Sequence, residues 1–222
     1  MSHAHDHDDH HHHGHDDHHG ATPHAPPQPD EKIHSYYQVL GLALKELLIE
    51  KGIVTNDEIR KTIEFRDSVT PAIGAKIVAR AWTDSAFKNR LLANGTETIK
   101  EFGLDMGALH LVVVENTPAT HNVIVCTLCS CYPRAVLGLP PAWYKSKEYR
   151  SRAVREPRAV LKEFGTTLPS EMEVRVHDST ADIRYLVLPM RPKGTEGMSE
   201  EQLAALVSRD CMIGTALPSG PG

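Results

Sequence analysis

The sequence predicts an α+β fold, and three observations carry that prediction. From Ile33 to about Gly103, apolar residues recur at three-to-four spacing, the period of helices with one buried face. After that come β-branched apolar runs at residues 109–115 and 122–126, and an alternating segment at 171–176. Helices first and strands later, without strand–helix–strand alternation, is the pattern of a fold that segregates the two.

Residues 1–32 stand apart. They hold eleven of the 15 His, interleaved with Asp6, Asp8, Asp9, Asp16 and Asp17, and then Pro23, Pro26, Pro27 and Pro29. A segment with so little to bury is expected to be a disordered tail. Imidazoles suit borderline metals such as Co²⁺, Ni²⁺ or Zn²⁺, so a metal reservoir and an inert polar tail are both open readings. Residues 33–70 read as an N-terminal helical arm. Ile33, Tyr37, Leu40, Leu44, Leu47 and Leu48 share a face, Gly52 offers a stop, and Thr55 with Glu58 forms a capping box for a second helix to about Ser68. Periodicity gives that first helix an apolar face but no partner. Another subunit and the chain's own domain are equally open.

Residues 71–222 form the main domain. Pro71 opens a helix with Ile73, Ile77, Val78 and Ala81 on one face and Trp82 beside it. Asp84 and Thr96 are the expected N-caps of two short helices ending near Gly95 and Gly103. Two strands follow, then the break at Pro140 and Pro141. A helix starts at Glu156–Pro157 and stops at Gly165. Strands are expected at 171–176 and 184–188. Ser199 with Gln202 caps a last helix through Leu203, Leu206 and Val207.

Composition narrows the function. The 222 residues are 40% hydrophobic and 24% charged, an ordinary globular balance that excludes wholesale disorder. With 24 Lys and Arg against 29 Asp and Glu, the net charge of −5 argues against a nucleic-acid partner. The apolar stretch 109–114 is too short to span a bilayer and contains His110, so no membrane association is expected. The chain opens on a His/Asp run instead of a basic-then-apolar leader, which predicts a soluble, cytoplasmic protein. In that compartment four Cys favour metal or redox chemistry over disulfides.

The informative segment is Val125-Cys126-Thr127-Leu128-Cys129-Ser130-Cys131-Tyr132-Pro133, a strand emerging into a turn. Thiols at spacings of three and two converge only if the backbone loops back, which brings the main-chain amides around Ser130 to the same point. Such a claw of sulfurs and amide nitrogens suits a trivalent low-spin metal better than Zn²⁺. A structural zinc site with His121 or Cys211 as fourth ligand, and three packed thiols, are the other open readings.

The string from Cys126 to Pro133 resembles the metal-binding motif of nitrile hydratase α subunits, a family that includes the metal-bearing γ subunit of thiocyanate hydrolase. The resemblance covers about residues 36–218, through the segments 136–145, 149–152, 155–158, 187–192, 194–197 and 210–214. It implies a four-layer α-β-β-α arrangement for residues 71–222, the catalytic metal-binding domain. Cys126, Cys129 and Cys131, with the amides of Ser130 and Cys131, would hold one non-corrin Co(III), or less readily Fe(III), per chain. Thr127 and Tyr132 match the cobalt form. Cys129 would become a sulfinate and Cys131 a sulfenate, with Cys131 as the catalytic residue. Trp143 would wall the substrate pocket, and Asp178 and Arg184 match positions that flank the ligands. As a bare pair, Asp178 and Arg184 read equally well as a surface salt bridge.

The resemblance further implies a β-type partner subunit, whose arginines hold the oxidised sulfurs, and an activator or metallochaperone. The reaction would be hydration of a small nitrile to an amide. The alternative is thiocyanate converted to carbonyl sulfide and ammonia. Two departures bear on that choice. Arg134 stands where nitrile hydratases place Trp, and a cation there would attract an anion. A Gln common near the nitrile hydratase pocket is missing from residues 103–109. A non-catalytic metal-storage protein is a third reading, although storage has no need of so long a family-like sequence outside the metal motif.

Overall fold

The computed structural model describes residues 35–221. The expected tail, residues 1–32, lies outside the described residues. The chain divides into two compact units that meet between Thr55 and Asn56.

Helix α1, Tyr36–Glu50, opens on a capping box: the Ser35 hydroxyl accepts from the Gln38 amide, and the Gln38 side chain accepts from the Ser35 amide. Beyond its end, Gly52 takes the left-handed conformation with φ 66°. Among the described residues α1 buries none of its side chains, and Tyr37, Leu40, Leu44 and Leu47 stay exposed.

The second unit begins with α2, Asn56–Ser68, and α3, Pro71–Thr83. Pro71 sits in the first turn of α3, which needs no amide donor there, and Ile77, Val78 and Ala81 are buried as their spacing predicts. Asp84 caps α4, Ser85–Ala93, by accepting from the Phe87 amide at 2.9 Å. The next cap is not Thr96 but Asn94, which accepts from Glu97 and starts α5, Gly95–Thr98, two residues early. The Thr96 hydroxyl is engaged elsewhere: it accepts from the Leu111 amide at 2.8 Å and ties α5 to the first strand. A 3-10 turn, Ile99–Phe102, closes at Gly103 with φ 71°.

Four strands follow: β1, His110–Glu115; β2, Thr120–Val125; β3, Glu173–Asp178; and β4, Ile183–Leu188. They pair in a nested way, β1 with β4 and β2 with β3, each pair parallel. Four short helices lie between β2 and β3: α6, Arg134–Leu137; α7, Ala142–Lys145; α8, Lys147–Arg152; and α9, Pro157–Glu163. The chain ends with α10, Glu200–Ala205, under the expected Ser199–Gln202 capping box, and α11, Arg209–Ile213.

Helices α4 and α5 pack on β1, β4 touches β2 of the other sheet, and α9 packs on β3. Helix, sheet, sheet and helix therefore follow one another, the mixed α and β layering expected. Ile77, Phe87, Leu91, Ile99, Ile124, Leu186, Leu188 and Met212 fill the core between these layers. Among the described residues no helix is long and apolar enough to cross a membrane.

Candidate metal centre

The site sits where β2 ends. Val125 pairs in register with Asp178, so the parallel ladder brings the end of β3 beside the start of the cysteine loop. There the Asp178 carboxylate accepts from both the amide and the hydroxyl of Thr127. Beyond the cysteines, Pro133 leads into α6.

Within the loop the three thiols converge. The sulfur of Cys129 lies 3.3 Å from that of Cys126 and 3.1 Å from that of Cys131. All three lie within 4.8 Å of one another. Cys126 is buried, Cys131 half-buried and Cys129 exposed, so the cluster has a closed side and an open side. The Cys129 amide donates to the Cys126 sulfur at 3.3 Å, and the amides of Cys131 and Ser130 turn to the Cys129 sulfur. Hydrogen bonds from the neighbouring thiols, Cys131 before Cys126, and those amides draw the Cys129 thiol down to about 7. Burial, and then the Cys129 sulfur, push Cys131 up to about 12 despite the opposing pull of Arg184. A thiolate is therefore favoured at the exposed apex, and thiolates are what bind metal and oxidise.

The proposed fourth ligands of a zinc site are committed elsewhere. His121 is buried between Gly214, whose carbonyl lies 2.7 Å from Nε2, and Asn116, whose amide lies 3.2 Å from Nδ1. Cys211 is buried with its sulfur 3.1 Å from the Ser208 hydroxyl. Three sulfurs with main-chain amides turned toward them fit a metal held by sulfur and amide nitrogen, not a tetrahedral side-chain set.

A cavity of about 620 Å³ opens beside the thiols, and Cys129, Ser130, Cys131, Tyr132, Arg134 and Arg184 all line it. Phe65, Val69, Met106 and Leu109 supply apolar wall, and Arg66 a third cation. Tyr132 is buried edge-on to Tyr144, its hydroxyl has no hydrogen-bond partner among the described residues, and burial holds its pKa well above the usual phenol value. Arg184 is nearly buried and donates to the carbonyls of Thr180 at 2.7 Å and Ile183 at 2.9 Å. Asp178 and Arg184 thus serve separate hydrogen-bond sets. Trp143 lies in an aromatic cluster, with ring centres 4.8 Å from Tyr149 and 4.6 Å from Phe164, and does not line the cavity.

Two residues that spacing did not single out touch the loop. The Tyr144 hydroxyl donates to the Cys131 carbonyl at 2.9 Å, and Arg150 donates to the Cys129 carbonyl at 2.6 Å. Both come from the short helices α7 and α8, whose placement depends on tertiary packing and leaves no periodic signal.

Fold and loop together define a mixed α/β protein built around a three-cysteine metal loop. The chain belongs to the nitrile hydratase α-chain family: residues 35–216 match the family described as "Nitrile hydratase, alpha chain". It is 52% identical over 181 residues to the low-molecular weight cobalt-containing nitrile hydratase subunit alpha of Rhodococcus rhodochrous, covering 81% of this chain and 87% of that one. It is 42% identical over 208 residues to the thiocyanate hydrolase subunit gamma of Thiobacillus thioparus, covering 88% and 85%. A solved mutant of the Fe-type nitrile hydratase of Comamonas testosteroni Ni1 superposes with a TM-score of 0.73 at 46% identity, covering 83% of this chain and 91% of that one.

Proposed function

We propose that this chain is the metal-bearing α subunit of a cobalt nitrile hydratase. The observation that carries the reading is the convergence of the Cys126, Cys129 and Cys131 sulfurs within 4.8 Å at the mouth of a largely apolar cavity. The three sulfurs, with the amides of Ser130 and Cys131, would hold one Co(III); when bound, it supplies a Lewis acid that polarises a nitrile carbon. Cys129 would be carried as a sulfinate and Cys131 as a sulfenate. Cys131 would be the catalytic residue: either a water it activates adds to the nitrile carbon, or its sulfenate oxygen adds and a water then restores that oxygen to sulfur as the S–O bond breaks, and in both cases one oxygen and two protons of water end in the amide. Tyr132 and the apolar wall exclude bulk water, while Arg184 sets a positive charge beside Cys131.

A β-type partner subunit completes the site. Its place is suggested by Leu128, which stands 90% exposed on the loop beside the open Cys129. The reading includes an activator or metallochaperone for loading, and a cytoplasmic setting that keeps the thiols reduced until then.

A second reading, thiocyanate hydrolysis, is favoured by one observation: Arg134 is exposed on the cavity wall with Arg66 and Arg184 near it, a set of charges suited to an anion. The deciding experiment co-expresses the chain with its partner subunit and cobalt, then compares amide formed from a simple nitrile with carbonyl sulfide released from thiocyanate. Amide with one cobalt per chain is expected, and Cys131→Ser should abolish it. Carbonyl sulfide alone would replace the first reading with the second.

A further inference from the structure

The loop from Cys126 to Pro133 has left the β2 ladder, so its backbone groups depend on partners elsewhere in the fold. The Cys129 carbonyl finds one in Nη1 of Arg150, at 2.6 Å, from helix α8. The peptide that begins with this carbonyl carries the Ser130 nitrogen. In a planar trans peptide the C=O and N–H point in opposite directions, so fixing one fixes the other. With its oxygen held on the Arg150 side, the peptide points the Ser130 N–H the opposite way, and the Ser130 amide is among the groups that lower the Cys129 thiol.

We propose that Arg150 is a positioning residue of the metal loop, clamping the Cys129 carbonyl from α8 so that the Ser130 amide nitrogen stays on the sulfur side. This rests on the cobalt site proposed above. Two further features support it. The Nε of Arg150 is buried with no acceptor among the described residues, an unfavourable placement, so the side chain is not held there by complete satisfaction of its own donors. The guanidinium charge also lies beside the oxygen on which electron density gathers when the peptide nitrogen donates to a cation. Tyr144 makes the matching contact two peptides further on, at the Cys131 carbonyl, so the loop is held by its oxygens at both Cys129 and Cys131. Lysine cannot reproduce the planar fork, although it keeps the charge.

The test uses the full chain stripped of metal and titrated with Co²⁺. It follows the sulfur-to-cobalt charge-transfer absorption, which histidine side chains do not produce. Arg150→Gln should weaken cobalt binding at this band by roughly tenfold or more, the usual effect of losing a group that orients a ligand, and should shift the band. Arg150→Lys should recover part of the affinity, and the melting temperature of the metal-free chain should stay at the wild-type value. Wild-type affinity and an unshifted band in Arg150→Gln would overturn the proposal while leaving the cobalt site standing. If Arg150→Gln also lowers metal-free melting, Arg150→Lys decides: wild-type melting with a weakened band supports the clamp, and a wild-type band overturns it. A wild-type chain with no sulfur-to-cobalt band would overturn the metal site and the clamp with it.

Discussion

Asp178 grips Thr127 twice, taking its amide at 2.9 Å and its hydroxyl at 2.5 Å, so the last residue of β3 locks the first exposed residue of the cysteine loop. Sheet register and the cysteine loop are coupled through this carboxylate. Asp178→Ala should leave the fold intact, at a cost of about 1 kcal/mol because the group is solvent-facing. It should also speed loss of bound cobalt to a chelator about tenfold. Asp178→Asn, which keeps one acceptor, should fall between. Chelator-exchange kinetics on the loaded protein check this, and wild-type exchange in Asp178→Ala would count against the coupling.

The proposed choice between nitrile and thiocyanate turns on Arg134. It is exposed at the start of α6 on the cavity wall, free to meet an anion without disturbing the sulfurs. Arg134→Trp should leave cobalt per chain unchanged. It should raise KM for thiocyanate severalfold, since one charge-assisted contact is worth about 1.5–3 kcal/mol and partial exposure reduces it. Activity assays at two ionic strengths check the point: the wild-type KM for thiocyanate should rise with salt, and that of the variant, which keeps Arg66 and Arg184, should rise less.

Gly214 is fixed by geometry rather than chemistry. Its φ is 91°, and a side-chain carbon there would press into the Asn122 carbonyl of β2. Gly214→Ala should cost at least about 2 kcal/mol, from left-handed strain and displacement of a strand backbone together. Urea unfolding of the metal-free chain measures it, and a loss under 0.5 kcal/mol, the range of ordinary surface changes, would refute it.

Much of this architecture was legible in the sequence because its signals are local. Pro71 at a first turn, the Asp84 cap, the Ser199–Gln202 box and the apolar runs of the strands each act within a few residues, and each is found where expected. Thr96 misled because its hydroxyl is captured by Leu111, fifteen residues away, a contact no local rule anticipates. The nested parallel pairing of β1 with β4 and β2 with β3 is likewise non-local. At the site, the spacing of Cys126, Cys129 and Cys131 allowed convergent thiols but left a zinc site and packed thiols open, and the resemblance of the surrounding string favoured the sulfur-and-amide claw. Arg150 and Tyr144 were not foreseen as contacts, because both reach the loop through helices of four to six residues whose positions are set by packing. Trp143 is an aromatic next to Tyr144 in sequence, yet its ring turns to Phe164 and Tyr149, and only the fold reveals that.

The last prediction concerns pH. His121 is buried, its Nε2 on the Gly214 carbonyl and its Nδ1 beside the Asn116 amide, a pair of contacts that fits the neutral ring. Burial lowers its pKa from the ordinary 6.5, outweighing the Gly214 hydrogen bond. The native state therefore refuses a proton that the unfolded chain accepts as the pH falls through 6.5. Stability is full above that value and declines below it, until the folded-state pKa is reached. One such proton gives a slope of at most about 1.4 kcal/mol per pH unit. His177, also lowered by burial and then by Arg175, acts in the same direction. Urea unfolding at pH 7.0 and 5.5 should show a larger loss for the wild type than for His121→Gln, which cannot titrate. Equal losses in the two proteins would mean that His121 takes up its proton in the folded state as readily as in the unfolded one.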